Sequence, residues 1–122
     1  MTSGFIKLHR KILEWEWFED DKVFKLFVFI LIKANHKPKR WQGIDIDRGQ
    51  FLTSLDKLAK GTGMSVQMVR TALAKLQSTN EITNRSTKRF RMITVENYSQ
   101  YQARQDDEQQ SEQHSFTTGT PA

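Results

Sequence analysis

The chain has 122 residues, a formal net charge of +5 and no cysteine, and 37% of its residues are hydrophobic. This length suits a single domain with a modest core. The absence of cysteine excludes a disulfide framework, a thiolate zinc site and a cysteine nucleophile. The charge is uneven: residues 37–103 hold twelve basic and five acidic residues, whereas residues 104–122 hold one base and four acids.

The first third of the chain predicts an arm followed by one central helix. Apolar residues from Phe5 to Leu13 predict a short helix or an extended arm. Either Asp20 or Asp21 can cap a helix that runs from about Lys22 to Asn35 and is apolar nearly all round. We expect this helix to be buried at the centre of the fold. It is far shorter than the roughly 20 residues that span a bilayer, so no membrane association is expected.

The middle of the chain predicts a short strand and then two helices joined by a glycine turn. Residues 43–47 alternate around Ile44 and Ile46, as a strand does. Thr53 with Asp56 predicts a capping box for the first helix of the pair. The helix seam is expected to hold small and apolar residues, namely Leu58, Ala59, Met64, Val69, Ala72, Leu73 and Leu76. Gly63 can take the left-handed turn conformation at little cost, and Ser65 is suited to cap the second helix.

The last third predicts a β-hairpin and then a polar tail. Residues 82–85 and 90–95 predict two strands around a turn at 86–88, and Tyr98 and Tyr101 are expected to close the domain. Residues beyond 102 are rich in Gln, Ser, Thr and acids, so we expect them to be disordered. The predicted organisation is a domain over 1–103 and a polar tail or linker over 104–122.

The predicted order is helix, strand, helix, helix, hairpin, which is the order of a winged helix-turn-helix. The predicted fold class is therefore mostly α with a small β-sheet. In such proteins the second helix of the motif usually enters the DNA major groove. Two helices with a glycine turn also occur as plain structural hairpins, and that alternative stays open.

Candidate DNA-binding residues lie on the second helix and on the hairpin. On the helix, an amide and a guanidinium could read bases and the polar neighbours could hold phosphates; these residues are Ser65, Gln67, Met68, Arg70, Thr71 and Lys75. Four bases with no intervening acid could contact the DNA backbone or minor groove; they are Arg85, Lys88, Arg89 and Arg91. The alternatives are a solvated helix face and a charged strand edge that prevents sheet aggregation.

Enzymatic activity is not expected. The three histidines, His9, His36 and His114, lie far apart, and no carboxylate stands near them at ligand spacing. The chain has no glycine-rich phosphate loop and no nucleophile elbow. We therefore predict no catalytic residue, no metal site and no cofactor.

Several segments resemble the N-terminal domain of phage replisome organisers, which are related to DnaD-like primosome proteins. The similarity runs from about Gly4 to Gln102, and its most specific pieces are RGQFLTS and the ending ITVENYSQYQ. The resemblance implies a winged-helix domain that binds origin DNA or supports oligomerisation, in a protein of the cytoplasm and nucleoid. The family's second domain, which contacts the helicase or its loader, lies outside the segment that shows the similarity, so loader recruitment is not carried over.

The predicted function is thus DNA binding in phage or prophage replication initiation, with double-stranded DNA as the partner. Two alternatives remain. The first is a small transcriptional regulator, which would use the same chemistry on different DNA. The second is an interaction module of a primosome that forms homo-oligomers through the aromatic residues of the arm, Trp15, Trp17 and Phe18. Such tryptophans, with Trp41, could also stack on bases, although they are more often packed in a core.

Overall fold

A computed structural model describes residues 5–86 and 90–101 of the chain. Within these residues three α-helices and five strands form, with a short 3-10 helix at each end. The helices are α1 (Asp21–Lys33), α2 (Leu55–Thr62) and α3 (Val66–Ser78), and the strands are β1 (Lys39–Trp41), β2 (Ile44–Ile46), β3 (Gln50–Thr53), β4 (Ile82–Ser86) and β5 (Arg91–Val95). The 3-10 helices cover Arg10–Glu14 and Tyr98–Gln100.

Helix α1 is the central element, as its composition predicts. Asp20 caps it, since its side chain accepts a hydrogen bond from the Val23 amide at 3.2 Å. One face of α1 is completely buried against α2, α3 and the sheet, through Val23, Leu26, Phe27, Ile30 and Leu31. The opposite face reaches solvent, because Ile32 is 63% exposed. Helix α1 therefore has one buried face and one solvent-exposed face, although its sequence is apolar nearly all round.

The five strands form two separate sheets. In the larger sheet β5 lies between β3 and β4, and both pairings are antiparallel. Phe51, Ile82, Ile93 and Val95 lie on the buried face of this sheet and join the helical core. The smaller sheet is the antiparallel hairpin β1–β2, which was not predicted as a pair.

The prediction of a mostly α winged helix-turn-helix is wrong. The described residues form a small α+β fold with three α-helices and five strands in two sheets, and this arrangement does not clearly define a winged helix. The sequence predicts strands only at 43–47 and in the β4–β5 hairpin, so strands β1 and β3 were not predicted.

The cap of α2 also differs from the prediction. Ser54, and not Thr53, accepts the hydrogen bond from the Lys57 amide, at 3.2 Å. Thr53 is the last residue of β3 and is only 4% exposed. Because the strand holds Thr53 in the sheet, the capping position moves one residue along the chain.

The N-terminal arm is attached to the domain by its backbone and by its two indoles. The Lys7 amide donates to the Tyr101 carbonyl at 2.6 Å. The Trp15 indole N–H donates to Glu81 Oε2 at 2.9 Å, and the Trp17 indole N–H donates to Thr79 Oγ1 at 2.9 Å. The Trp15 ring also contacts Phe27 of α1, with centroids 4.9 Å apart. The arm thus covers the end of α3 and the start of β4.

Candidate nucleic-acid interface

The turn between α2 and α3 has the geometry that the sequence predicts. Gly63 adopts the left-handed conformation with φ 76°, and its amide donates to the Ala59 carbonyl at 2.9 Å. Ser65 caps α3, because its Oγ accepts from the Met68 amide at 3.1 Å. Leu58 of α2 and Val69 of α3 are completely buried in the shared core. These contacts hold α3 firmly in position, with one face in the core and the other in solvent.

The solvent face of α3 carries most of the predicted DNA-binding residues. Side chains are exposed at Ser65, Gln67, Met68, Arg70 and Thr71. No acidic residue occurs within α3 or in its cap. The buried stripe of Val69, Ala72, Leu73 and Leu76 lies opposite this face, so the helix offers solvent a surface of amides, hydroxyls, one guanidinium and the thioether of Met68.

The candidate residues of α3 do not form one uniform surface. Gln67, Met68, Thr71 and Lys75 line a shallow groove of about 170 Å³ beside the first turn of α1. Arg70 lies outside this groove. A ligand on α3 would therefore meet a polar row next to α1 and, outside the groove, the guanidinium of Arg70.

Lys75 is paired with an acid within the chain. Its Nζ lies 2.8 Å from Asp20 Oδ2 and 5.9 Å from the centre of the Trp17 ring. The hydrogen bond from Lys75, together with the Val23 amide and the charge of Lys75, lowers the pKa of Asp20 below its ordinary value of 3.8 against the opposing effect of desolvation. At neutral pH the carboxylate is ionised and neutralises the ammonium, so Lys75 is poorly suited to the phosphate contact that the sequence suggested.

The hairpin bases do not share one face of the sheet. Arg85 pairs with Met92, and Ser86 pairs with Arg91. Since side chains alternate across a strand, Arg91 lies on the same face as the buried Ile93, whereas Arg85 lies on the opposite face. Arg85 is exposed and Arg91 is half-buried. The other two predicted bases, Lys88 and Arg89, lie outside the described residues.

A third basic region was missed by the sequence analysis. The β1–β2 hairpin, the end of α1 and the start of α2 enclose a cleft of about 320 Å³ whose described lining residues include three lysines and three aromatic rings. The sequence signal that could have indicated the hairpin is Gly43, since glycine favours a two-residue hairpin loop. In the structure both loop residues, Gln42 and Gly43, have positive φ.

Other site classes find no support among residues 5–86 and 90–101. No cluster of three or more His, Cys, Asp or Glu side chains there could hold a metal ion. No helix in that part of the chain is long and apolar enough to cross a bilayer.

Comparison with known proteins returns no relative for this chain. No family model, no curated protein and no solved structure matches it.

Proposed function

We propose that this chain is a DNA-binding protein or module that acts in the initiation of phage or prophage DNA replication. The observation that carries the proposal is the exposed, acid-free face of α3, where Gln67 and Arg70 lie one turn apart on a helix held rigidly by the core. An α-helix fits the major groove, where an arginine can bond guanine and a glutamine can bond adenine.

The basic hairpin supports the same proposal. No acid occurs from Ile82 to Val95, and Arg85 is exposed on the outer face of the sheet. Exposed guanidinium groups suit the phosphate backbone, which positions a protein on DNA without reading its sequence. On this proposal α3 provides recognition and the hairpin provides attachment.

The replication role depends on the sequence resemblance alone. RGQFLTS corresponds here to the turn before β3 and to β3 itself, and ITVENYSQYQ begins in β5. A protein with this role would act at the nucleoid in the cytoplasm. A transcriptional regulator would use the same surface, and the genomic position of the selected DNA sites would distinguish the two.

The test is Arg70→Ala, with Lys25→Ala as the matched control. Both bases are exposed on helices, but Lys25 lies on α1. A binding site is first selected from random duplex DNA, and the affinities for the site and for random duplex are then measured. Arg70→Ala should weaken the selected site by roughly 5- to 150-fold, since a bidentate contact to guanine contributes about 1–3 kcal/mol of discrimination. The loss on random duplex should be smaller, and Lys25→Ala should change neither affinity.

Two results would contradict the proposal. Equal losses on both DNAs would mean that Arg70 only holds phosphate. No loss on either DNA would mean that α3 does not enter the groove. Because the Arg70 side chain is exposed, the variant should fold, which a circular dichroism spectrum can check.

Self-association through the arm is the second candidate. It is favoured by four exposed apolar side chains of the arm, Phe5, Leu8, Leu13 and the predicted Phe18, of which Leu13 is 66% exposed. Trp15 and Trp17 contribute less to it than expected, since both indoles donate hydrogen bonds within the chain. A measured mass in solution decides: a monomer at high concentration would exclude this candidate.

A further inference from the structure

The cleft between the β1–β2 hairpin and the helices is the most distinctive surface that the α3 proposal does not use. It is lined by Lys33 at the end of α1, by Asn35 just after it, by Phe51 and Leu52 of β3, and by Lys57 in the first turn of α2. Its outer wall consists of Lys39, Trp41 and Ile46 of the hairpin, together with Phe90 before β5.

The hairpin presents its wall residues in a fixed orientation. Gln42 and Gly43 have φ 48° and 80°, so two residues close the turn and place Trp41 opposite Ile44. Because side chains alternate along a strand, Lys39 and Trp41 lie on the same face as Ile46, which is only 3% exposed. This face is therefore turned toward the body of the protein.

The other face of the hairpin carries a different pair of charges. Arg40 and Asp45 are opposite one another in the register and form an exposed salt bridge at 2.8 Å. Asp45, which is the acidic residue of the two hairpin strands, therefore lies on the outer face. Among the residues that the structure describes, those lining the cleft include three lysines and no carboxylate. The electrostatic character of this concave surface is that of a site for a polyanion.

Two of the three aromatic rings in the cleft contact each other. Trp41 and Phe90 meet edge to face, with centroids 5.2 Å apart. Trp41 remains 38% exposed despite this contact. A basic groove with an accessible aromatic ring is the combination that binds single-stranded nucleic acid, because the bases stack on the ring while cations follow the backbone.

We propose that this cleft binds single-stranded DNA. A duplex keeps its bases stacked on one another, so it has no free base face to offer Trp41, whereas a single strand does. An acidic peptide would use the lysines but would leave the exposed indole without a matching partner. The proposal stands apart from the duplex-binding role of α3, and either could be true without the other.

The experiment measures binding of a labelled dT12 oligonucleotide to the full chain by fluorescence anisotropy at several salt concentrations. Trp41→Leu should weaken binding by roughly 5-fold or more, since stacking of one base on an aromatic ring contributes about that much or more. Lys39→Gln with Lys57→Gln should lower the salt slope by about 1.4 units, as each phosphate contact to a single strand contributes about 0.7.

The matched control is Arg40→Gln. It removes the same charge as Lys39→Gln from the neighbouring position but on the outer face of the hairpin, so the salt slope should not change. If Trp41→Leu disrupts the hairpin, as a thermal melt would reveal, the lysine variants still test the proposal. Arg70→Ala should bind dT12 as the wild type does, which separates this test from the test of α3.

Three outcomes would overturn the proposal: no measurable affinity for dT12 at low salt, equal losses for Arg40→Gln and Lys39→Gln, or a loss on dT12 in the Arg70→Ala variant as large as that in Trp41→Leu. A rU12 oligonucleotide tests the sugar. Tighter binding of rU12 than of dT12 would reassign the cleft to RNA and would also refute the proposal.

Discussion

The ion pair between Lys75 and Asp20 should stabilise the fold and should not contribute to DNA binding. The substitutions that test this ion pair are Asp20→Asn and Lys75→Met, made separately and together. Asparagine caps helices about as well as aspartate, so Asp20→Asn removes the charge and retains the cap of α1. Methionine keeps most of the apolar stem of Lys75 and loses the ammonium, whose Nζ lies 5.9 Å from the centre of the Trp17 ring.

The magnitude follows from the geometry. Two unit charges 2.8 Å apart attract each other by about 1.5 kcal/mol in a medium like water. The side chains of Lys75 and Asp20 are 42% and 27% exposed, and the entropy lost in holding a lysine also opposes the pair. We therefore expect a coupling free energy of about 0.5–1 kcal/mol from the double-mutant cycle at neutral pH and low salt.

The sign of the pH dependence is set by the lowered pKa of Asp20. A carboxyl group with a lower pKa in the folded state adds stability above its ordinary value of 3.8, and this stability is lost as the pH falls through the folded-state pKa. Urea unfolding of the four proteins at neutral and acidic pH measures the coupling. It should disappear in acid and shrink in concentrated salt.

The same variants test the interpretation of the DNA surface. Since Asp20 already neutralises Lys75, Lys75→Met should leave the salt slope for duplex binding unchanged, whereas Arg85→Gln should lower it by about 0.9 units. A coupling free energy of zero at low salt would refute the stabilising role of the ion pair. A salt slope that falls by a full unit in Lys75→Met would indicate that Lys75 contacts a DNA phosphate.

Two further predictions concern backbone and burial. Gly43 and Gly49 have φ of 80° and 83°, but a Cβ at Gly49 would lie 2.9 Å from Tyr98 Cβ, whereas a Cβ at Gly43 meets open space. Gly43→Ala should therefore lower the free energy of unfolding by about 1–2 kcal/mol, and Gly49→Ala should lower it by about 1–3 kcal/mol more. Equal losses in urea unfolding would contradict the packing argument. Desolvation raises the pKa of both Tyr98 and Tyr101, so both phenols should ionise above 10.0 in the native protein. The free energy of unfolding should decline as the pH rises through the folded-state pKa values of the two phenols. An ultraviolet titration that is identical in water and in urea would contradict this expectation.

Local signals in the sequence were enough to predict the helices and their junction. Asp20, Gly63 and Ser65 act through neighbours within four residues, and each has the role that its chemistry favours. The burial of α1 likewise follows from its apolar composition. Such features depend on the chain nearby and can be predicted without knowledge of the tertiary structure.

The features that were missed depend on partners far along the chain. Lys75 meets an acid 55 residues earlier, and no local pattern predicts that pairing. The opposite orientations of Arg85 and Arg91 follow from the register of β4 against β5. Strand β1 consists of Lys39, Arg40 and Trp41, whose side chains are all exposed, so the alternation of apolar and polar residues that marks a half-buried strand is absent.

The groove beside α3 and the cleft under the β1–β2 hairpin lie at opposite ends of α1. The groove beside α3 includes Asp20, Lys22 and Val23 at the start of α1, whereas the cleft includes Lys33 and Asn35 at its end. A helix of 13 residues is about 20 Å long, which is well beyond the Debye length of about 10 Å at 0.1 M salt. Substitutions at this separation, with no shared contacts, usually have additive effects. If Lys39→Gln weakens binding only to single strands and Arg70→Ala weakens binding only to duplex, the two are independent sites and not one extended basic surface.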